Sequence, residues 1–270
     1  MTDFSSAYDA VLAQWPAGTE AVDLPTPVGR TRVHASGRGR PLVLLHGGGA
    51  TSTAWFALAS ALAGEFRVHA PDLVGDAGRS ERTALTSVAD LHRWLDAVLD
   101  GLDRPVLGGH SYGGWIALSY ALAHPGRVDR LALFEPSSCF APMAPGYLRR
   151  GLPVLLGATP RRVQRLYDWE TGGRAVDPAW MELMRASTAE RWHRPVLPRR
   201  PKPEQLTALS LPVLVVTGGR SRSQDPARVA RVATGLLPDV TARTVAQASH
   251  HTIPTEDADE LAAHLRAFTG

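Results

Sequence analysis

The feature that most constrains this chain is the segment 105–116, in which a glycine-rich motif separates two apolar runs. The segment reads PVLGGHSYGGWI. The run before the motif predicts a buried strand, and the run after it predicts a helix. G-x-S-x-G between a strand and a helix forms a strained turn that exposes the hydroxyl group of its serine. Ser111 is therefore the candidate nucleophile, and the chain must alternate strands with helices around it.

Short apolar runs alternate with longer amphipathic stretches along the chain, which predicts a mostly parallel sheet covered by helices on both faces. The predicted buried strands, each apolar on both faces, are 41–45, 66–70, 105–107, 128–134, 213–217 and 241–245. Residues 28–35 alternate in polarity and predict an edge strand. The predicted helices are 55–63, 87–101, 114–124, 225–237 and 257–268.

Residues 141–209 break this alternation. Prolines punctuate their short helical pieces, and the segment is too long for a plain connection between two core strands. Its aromatic side chains favour a packed unit over a disordered loop; they are Tyr147, Tyr167, Trp169, Trp180 and Trp192. We therefore predict one core, formed by residues 1–140 and 210–270, with a helical cap (lid) inserted at 141–209.

A second glycine-rich turn follows the strand 41–45 and reads HGGG over residues 46–49. It lies at the carboxyl end of a strand, where ligands gather in open α/β sheets. The amides of Gly48 and Tyr112 would together hold the negative oxygen of a tetrahedral intermediate. A mere tight turn is the alternative interpretation of such a motif alone, but its pairing with the G-x-S-x-G turn favours the oxyanion site.

A serine hydroxyl group needs a base, and the sequence Ala-Ser-His-His-Thr after the last predicted strand supplies candidates. His250 holds the position of the histidine in the common glycine-histidine ending, with Ser249 in place of glycine. We prefer His250 over His251 as the base. The other histidines have no comparable context.

The candidate acid departs from the pattern of most proteins that this arrangement of motifs resembles. In that pattern an aspartate lies three residues after a glycine that corresponds to Gly218. That position holds Ser221, so Glu135 and Asp225 remain as candidates. Asp225 precedes a proline and is explained as a helix N-cap. Glu135 directly follows a buried strand next to the one that leads to Ser111, where an unpartnered carboxylate is costly. We favour Glu135, which would orient the imidazole.

These residues resemble the α/β-hydrolase superfamily over nearly the whole chain. Residues 70–80, APDLVGDAGRS, are similar to the PDLxGxGxS loop of that superfamily but are one residue longer. Residues 8–15, 25–27 and 218–226 resemble bacterial carboxylesterases of the carboxylesterase NP type. The resemblance implies a mostly parallel eight-stranded sheet, a cap after the sixth strand, attack on a carbonyl group by an activated serine, and no cofactor. Some members carry their acid after the earlier strand, which favours Glu135 by analogy.

The predicted function is hydrolysis of a carboxylic ester through an acyl-serine, with an apolar or aromatic small molecule as substrate. The alternatives are a biosynthetic acyltransferase, cyclase or thioesterase with the same triad, or a low-turnover binding protein, because fold alone does not choose among them. With a net charge of +3 and no nucleic-acid module, we expect no nucleic-acid partner. A single cysteine and no zinc-ligand spacing give no sign of a metal site. No secretory signal or membrane helix is recognisable, so we expect a cytoplasmic protein with no membrane partner and allow for a homodimer.

Overall fold

The computed structural model describes residues 2–190, 193 and 195–270 and contains an eight-stranded sheet with the order β1-β2-β4-β3-β5-β6-β7-β8. β1 and β2 pair antiparallel, as do β2 and β4, whereas every other neighbouring pair is parallel. The predicted fold class is confirmed. The strands are β1 Glu20–Thr26, β2 Gly29–Gly37, β3 Arg40–Leu45, β4 Phe66–Pro71, β5 Val106–His110, β6 Arg130–Phe134, β7 Val213–Gly218 and β8 Val240–Val245.

Helices cover both faces because successive side chains of a strand point to opposite sides. The helices that pack on the sheet, together with the N-terminal α1, are α1 Phe4–Leu12, α2 Phe56–Leu62, α3 Val88–Val98, α4 Tyr112–Ala123, α9 Pro226–Leu236 and α10 Ala258–Thr269. Leu42 and Leu44 of β3 pack with α2 and α10, and Val43 and Leu45 pack with α3, α4 and α9. None of the helices in the described part of the chain combines the length and apolarity that a membrane span requires.

The two edges of the sheet differ from the prediction. Residues 28–35 were expected at the edge, but β2 pairs on both sides, because β1 covers it. The sequence does not predict β1, because its residues are mostly exposed and show little hydrophobic periodicity. β8 was expected to be buried on both faces, yet it is the opposite edge strand, and Val245 is its one buried residue.

Residues 141–209, called the insertion below, lie between β6 and β7. Their described part carries the α-helices α5 Pro145–Leu156, α6 Pro160–Thr171, α7 Pro178–Ala186 and α8 Pro203–Thr207. Tyr167 and Trp180 are buried, and α7 packs against α1, so part of the insertion joins the core. α5 differs, because none of its residues is buried. Trp192 lies outside the described residues, and the division into a core and a cap stays a prediction.

Candidate active site

The turn at Ser111 has the strained geometry that its sequence predicts. β5 ends at His110, α4 begins at Tyr112, and Ser111 between them has φ 53° and ψ −113°. A Cβ atom on Gly109 would lie 2.4 Å from the carbonyl carbon of Gly113. A Cβ atom on Gly113 would lie 2.4 Å from the carbonyl oxygen of Leu45. The two glycines are therefore steric requirements of the turn.

The structure brings Ser111, His250 and Glu135 into one hydrogen-bonded chain. The Ser111 Oγ atom lies 3.0 Å from His250 Nε2, and His250 Nδ1 lies 3.0 Å from Glu135 Oε2. The side chains of His250 and Glu135 are 2% and 0% exposed. With its proton on Nδ1, the imidazole donates to the carboxylate and can accept the serine proton at Nε2. This is the arrangement that a nucleophile, a base and an orienting acid require.

Glu135 lies at the end of β6, the strand that pairs with β5. Its carboxylate accepts hydrogen bonds from the Gly218 amide at 2.7 Å and from the hydroxyl groups of Ser221 at 2.7 Å and Ser223 at 3.0 Å. Ser221 occupies the position three residues after Gly218 where an aspartate is common, and here its hydroxyl group donates to Glu135 instead. These donors, with His250, offset the cost of burying the carboxylate.

Asp225, the other candidate acid, lies in a different environment. It is exposed and precedes α9, where its Oδ1 atom accepts hydrogen bonds from the amides of Ala227 and Arg228 at 3.0 and 3.2 Å. Its interpretation as a helix N-cap is confirmed. This local role accounts for the residue, and the carboxylate that contacts the His250 imidazole is that of Glu135.

His251 faces the insertion. Its ring stacks on Tyr167, with centroids 4.3 Å apart and planes at 18°, and its Nε2 atom lies 3.3 Å from the Tyr147 hydroxyl oxygen. Burial lowers the pKa of His251 to about 4. The imidazole is therefore neutral near pH 7, and its contacts are those of a packed side chain.

The predicted oxyanion donors, Gly48 and Tyr112, border the same space as Ser111. A Cβ atom on Gly48 would lie 3.6 Å from the Cβ atom of Tyr112, so the two loops are neighbours. Asp76 Oδ2 accepts the Gly49 amide at 2.8 Å and anchors the glycine turn. Burial raises the pKa of Asp76. This aspartate belongs to the loop that is one residue longer than the superfamily pattern.

A cavity of about 630 Å³ is lined by Ser111 and by residues of both the core and the insertion. Its polar lining includes Ser111, Ser137 and Asp76. Most of its remaining wall is apolar and is contributed by Leu73, Val74, Leu85, Leu91, Trp94, Met143, Leu148, Leu152, Val154, Leu155, Leu166, Pro195, Val196 and Pro198. A space of this size and character suits a small organic molecule.

Ser137 is a site residue that the sequence reasoning missed. Its Oγ atom lies 2.9 Å from the Ser111 Oγ atom. The sequence feature that could have identified Ser137 is its position two residues after Glu135. A loop that leaves β6 beside Ser111 must pass close to that serine. Ser223, which donates to Glu135, was also missed. With Ser221 two residues before it in the same loop after β7, nothing in the sequence distinguishes Ser223 as the partner of Glu135.

Comparisons with known proteins agree with this fold. Residues 42–264 match the model of the alpha/beta hydrolase family, and the chain belongs to that family. Carboxylesterase YbfK from Bacillus subtilis (strain 168) is 29% identical over 261 residues, which cover 92% of this chain and 87% of that protein.

Two solved structures from Bacillus subtilis are similar to nearly the whole chain. Naproxen esterase (carboxylesterase NP) is 25% identical with a TM-score of 0.91, covering 99% of this chain and 97% of that one. Carboxylesterase CesB (YbfK) is 27% identical with a TM-score of 0.89, covering 98% and 96%. The resemblance to carboxylesterases of the NP type is confirmed.

Proposed function

We propose that this protein is a serine carboxylic-ester hydrolase that works through an acyl-serine intermediate. The observation that carries the proposal is the hydrogen-bonded chain from Ser111 through His250 to Glu135, in which Ser111 lines a mostly apolar cavity. Similarity to proteins named carboxylesterases over most of their length supports the same reaction.

In the first half of the reaction, the Ser111 oxygen attacks the ester carbonyl carbon and its proton passes to His250 Nε2. The carbonyl oxygen becomes negative and accepts hydrogen bonds from the amides of Gly48 and Tyr112. Glu135 stabilises the imidazolium that forms. The intermediate then collapses, the alcohol leaves with the proton from His250, and the acyl group stays on Ser111.

In the second half, His250 takes a proton from water while the water oxygen attacks the acyl carbon. The same two amides bind the negative oxygen again. Breakage of the bond to Ser111 releases the carboxylic acid and returns the proton to the serine. This cycle needs only groups of the chain, the ester and water.

The cavity wall favours an apolar or aromatic acyl group on a small-molecule ester. Leucine side chains of α5 and the core residues Leu91 and Trp94 line the space beside Ser111. The insertion would act as a cap that keeps bulk water from the acyl-serine. We expect the enzyme to act in the cytoplasm, as a monomer or a homodimer.

The test is hydrolysis of p-nitrophenyl butyrate by the wild type and by Ser111→Ala. We expect kcat to fall by at least about 10³-fold in the variant, because the nucleophile is lost. The matched control is Ser119→Ala, which removes a serine hydroxyl group from α4, the helix that directly follows Ser111, and should retain activity. Thermal unfolding should be nearly unchanged in both variants. Activity of Ser111→Ala near the wild-type value would contradict the proposal.

A further inference from the structure

Glu170 is a buried carboxylate of the insertion that reaches the loop carrying His250. It lies near the end of α6 and is 0% exposed. Its Oε1 atom accepts hydrogen bonds from the amides of His250 at 2.9 Å and Arg222 at 3.2 Å. Its Oε2 atom accepts the Ser249 hydroxyl at 2.6 Å and the His251 amide at 3.1 Å. Four donors thus converge on one side chain.

This arrangement suits an ionised carboxylate. Burial opposes the charge of Glu170, but the nearby His251 and His250 and the donated hydrogen bonds hold its pKa below the ordinary value. All four donors are N–H or O–H groups, so two carboxylate oxygens can accept every one of them. An amide side chain has a single acceptor oxygen, and its NH₂ group would face donors instead.

The partners of Glu170 belong to two loops that both serve the hydrogen-bonded chain at Ser111. The loop 249–251 carries His250 itself. The loop 221–223 carries Ser221 and Ser223, whose hydroxyl groups donate to Glu135. One carboxylate therefore ties the backbone of the histidine loop to the loop that supplies donors to the acid.

We propose that Glu170 is a positioning residue that fixes the His250 backbone and the 221–223 loop relative to each other, so that the insertion helps to orient the base. The proposal rests on the function proposed above. Glu170 does not touch Ser111, and it acts on the reaction through the placement of the imidazole. A misplacement of about 1 Å at a catalytic group can cost about 10²-fold in rate.

Attachment of the insertion to the core does not depend on Glu170 alone. The Glu256 side chain of the core accepts the Asp177 amide of the insertion at 2.8 Å. Arg174 of the insertion pairs with Asp257 of the core at 2.8 Å. Because these contacts also attach the insertion to the core, an effect of Glu170 on His250 can be measured separately from loss of attachment. Glu256, which makes one of these contacts, provides the matched control.

The experiment compares Glu170→Gln, Glu170→Asp and Glu256→Gln in the full-length enzyme with p-nitrophenyl butyrate. Active sites are counted by stoichiometric reaction with a fluorophosphonate, so that kcat refers to competent molecules. We expect Glu170→Gln to lower kcat per site by about 10- to 100-fold with KM within about twofold of the wild-type value. Glu170→Asp retains the charge and should recover part of the loss. Glu256→Gln should match the wild type in kcat.

Wild-type kcat per site in Glu170→Gln would overturn the positioning role, as would an equal loss in Glu256→Gln. Should Glu170→Gln fail to fold, Ser249→Ala removes one of the four donors, and a fall of about threefold or more in kcat per site is then expected. An unchanged kcat in that variant would contradict the proposal. Failure of the proposed function gives a different result, in which the wild type lacks esterase activity altogether.

Discussion

The two sides of the cavity are built in different ways. On the core side, Glu135 and His250 are almost wholly buried, and each oxygen of Glu135 accepts at least one hydrogen bond. On the insertion side, α5 has no buried residue, and Leu148, Leu152 and Leu155 are 54%, 51% and 66% exposed although they line the cavity. The side chains of Glu135 and His250 thus have closely packed surroundings, whereas the part of the apolar wall that α5 contributes is largely exposed.

This difference indicates a division of roles. A group that transfers protons must keep its geometry to within a fraction of an ångström, and packing with paired hydrogen bonds provides that precision. A wall that accepts apolar groups needs only area and approximate shape. Changes in the core should therefore alter kcat, and changes in α5 should alter KM according to the size of the acyl group.

Among the changes that test this division, the largest effect is expected from Glu135→Gln. Loss of the carboxylate removes the partner of His250 Nδ1, and an amide can stabilise the wrong tautomer, as in the serine-protease case where the rate falls by about 10⁴-fold. We expect kcat to fall by about 10²- to 10⁴-fold with p-nitrophenyl butyrate. Asp225→Asn is the control and should keep wild-type kcat. Activity lost in Asp225→Asn and kept in Glu135→Gln would reverse the assignment of the acid.

A smaller effect should follow from the double variant Leu152→Ala, Leu155→Ala. Removal of two apolar side chains from the wall should raise KM for p-nitrophenyl octanoate by about 3- to 10-fold and leave p-nitrophenyl acetate unaffected. Leu156→Ala is the matched control, since Leu156 lies on the same helix, is 77% exposed and does not line the cavity. Equal changes for both esters would show that α5 does not contact the acyl chain.

The smallest expected effect concerns acid stability at the contact between the insertion and His251. Burial lowers the pKa of His251 to about 4, so this histidine takes up a proton at higher pH in the unfolded chain than in the folded chain. The free energy of unfolding should therefore decrease as pH falls from about 6.5 to about 4. His251→Phe, which can still stack on Tyr167, should show a shallower decrease in urea titrations over this range. Parallel curves for the two proteins would contradict the argument.

The core side was largely predictable from the sequence because its constraints are local. The glycines around Ser111 are required by contacts within one turn, and residues at the carboxyl ends of adjacent parallel strands, such as Glu135, necessarily lie near one another. The position of His250 followed from the order of nucleophile, acid and base along this fold. Asp225 was recognised as a cap because the proline after it is a local signal.

The insertion side and the sheet edges were less predictable because their signals are not local. Glu170 lies 80 residues from His250 in the sequence, and its own helix gives no sign of this partner. β1 has mostly exposed residues and contains Pro25, so hydrophobic periodicity could not find it. In the sequence, Ser221 only marks the position where an acid is common. Its hydrogen bond to Glu135 depends on how the loop after β7 folds, which the sequence does not show.

All of the expectations for activity depend on Ser111 as the nucleophile that forms the acyl-serine. The most direct measurement is mass spectrometry of the wild type after reaction with a fluorophosphonate, followed by peptide mapping. We expect one adduct per chain, on Ser111, and no adduct at this position in His250→Ala on the same time scale. An unmodified Ser111, or labelling of another serine with loss of activity, would contradict it.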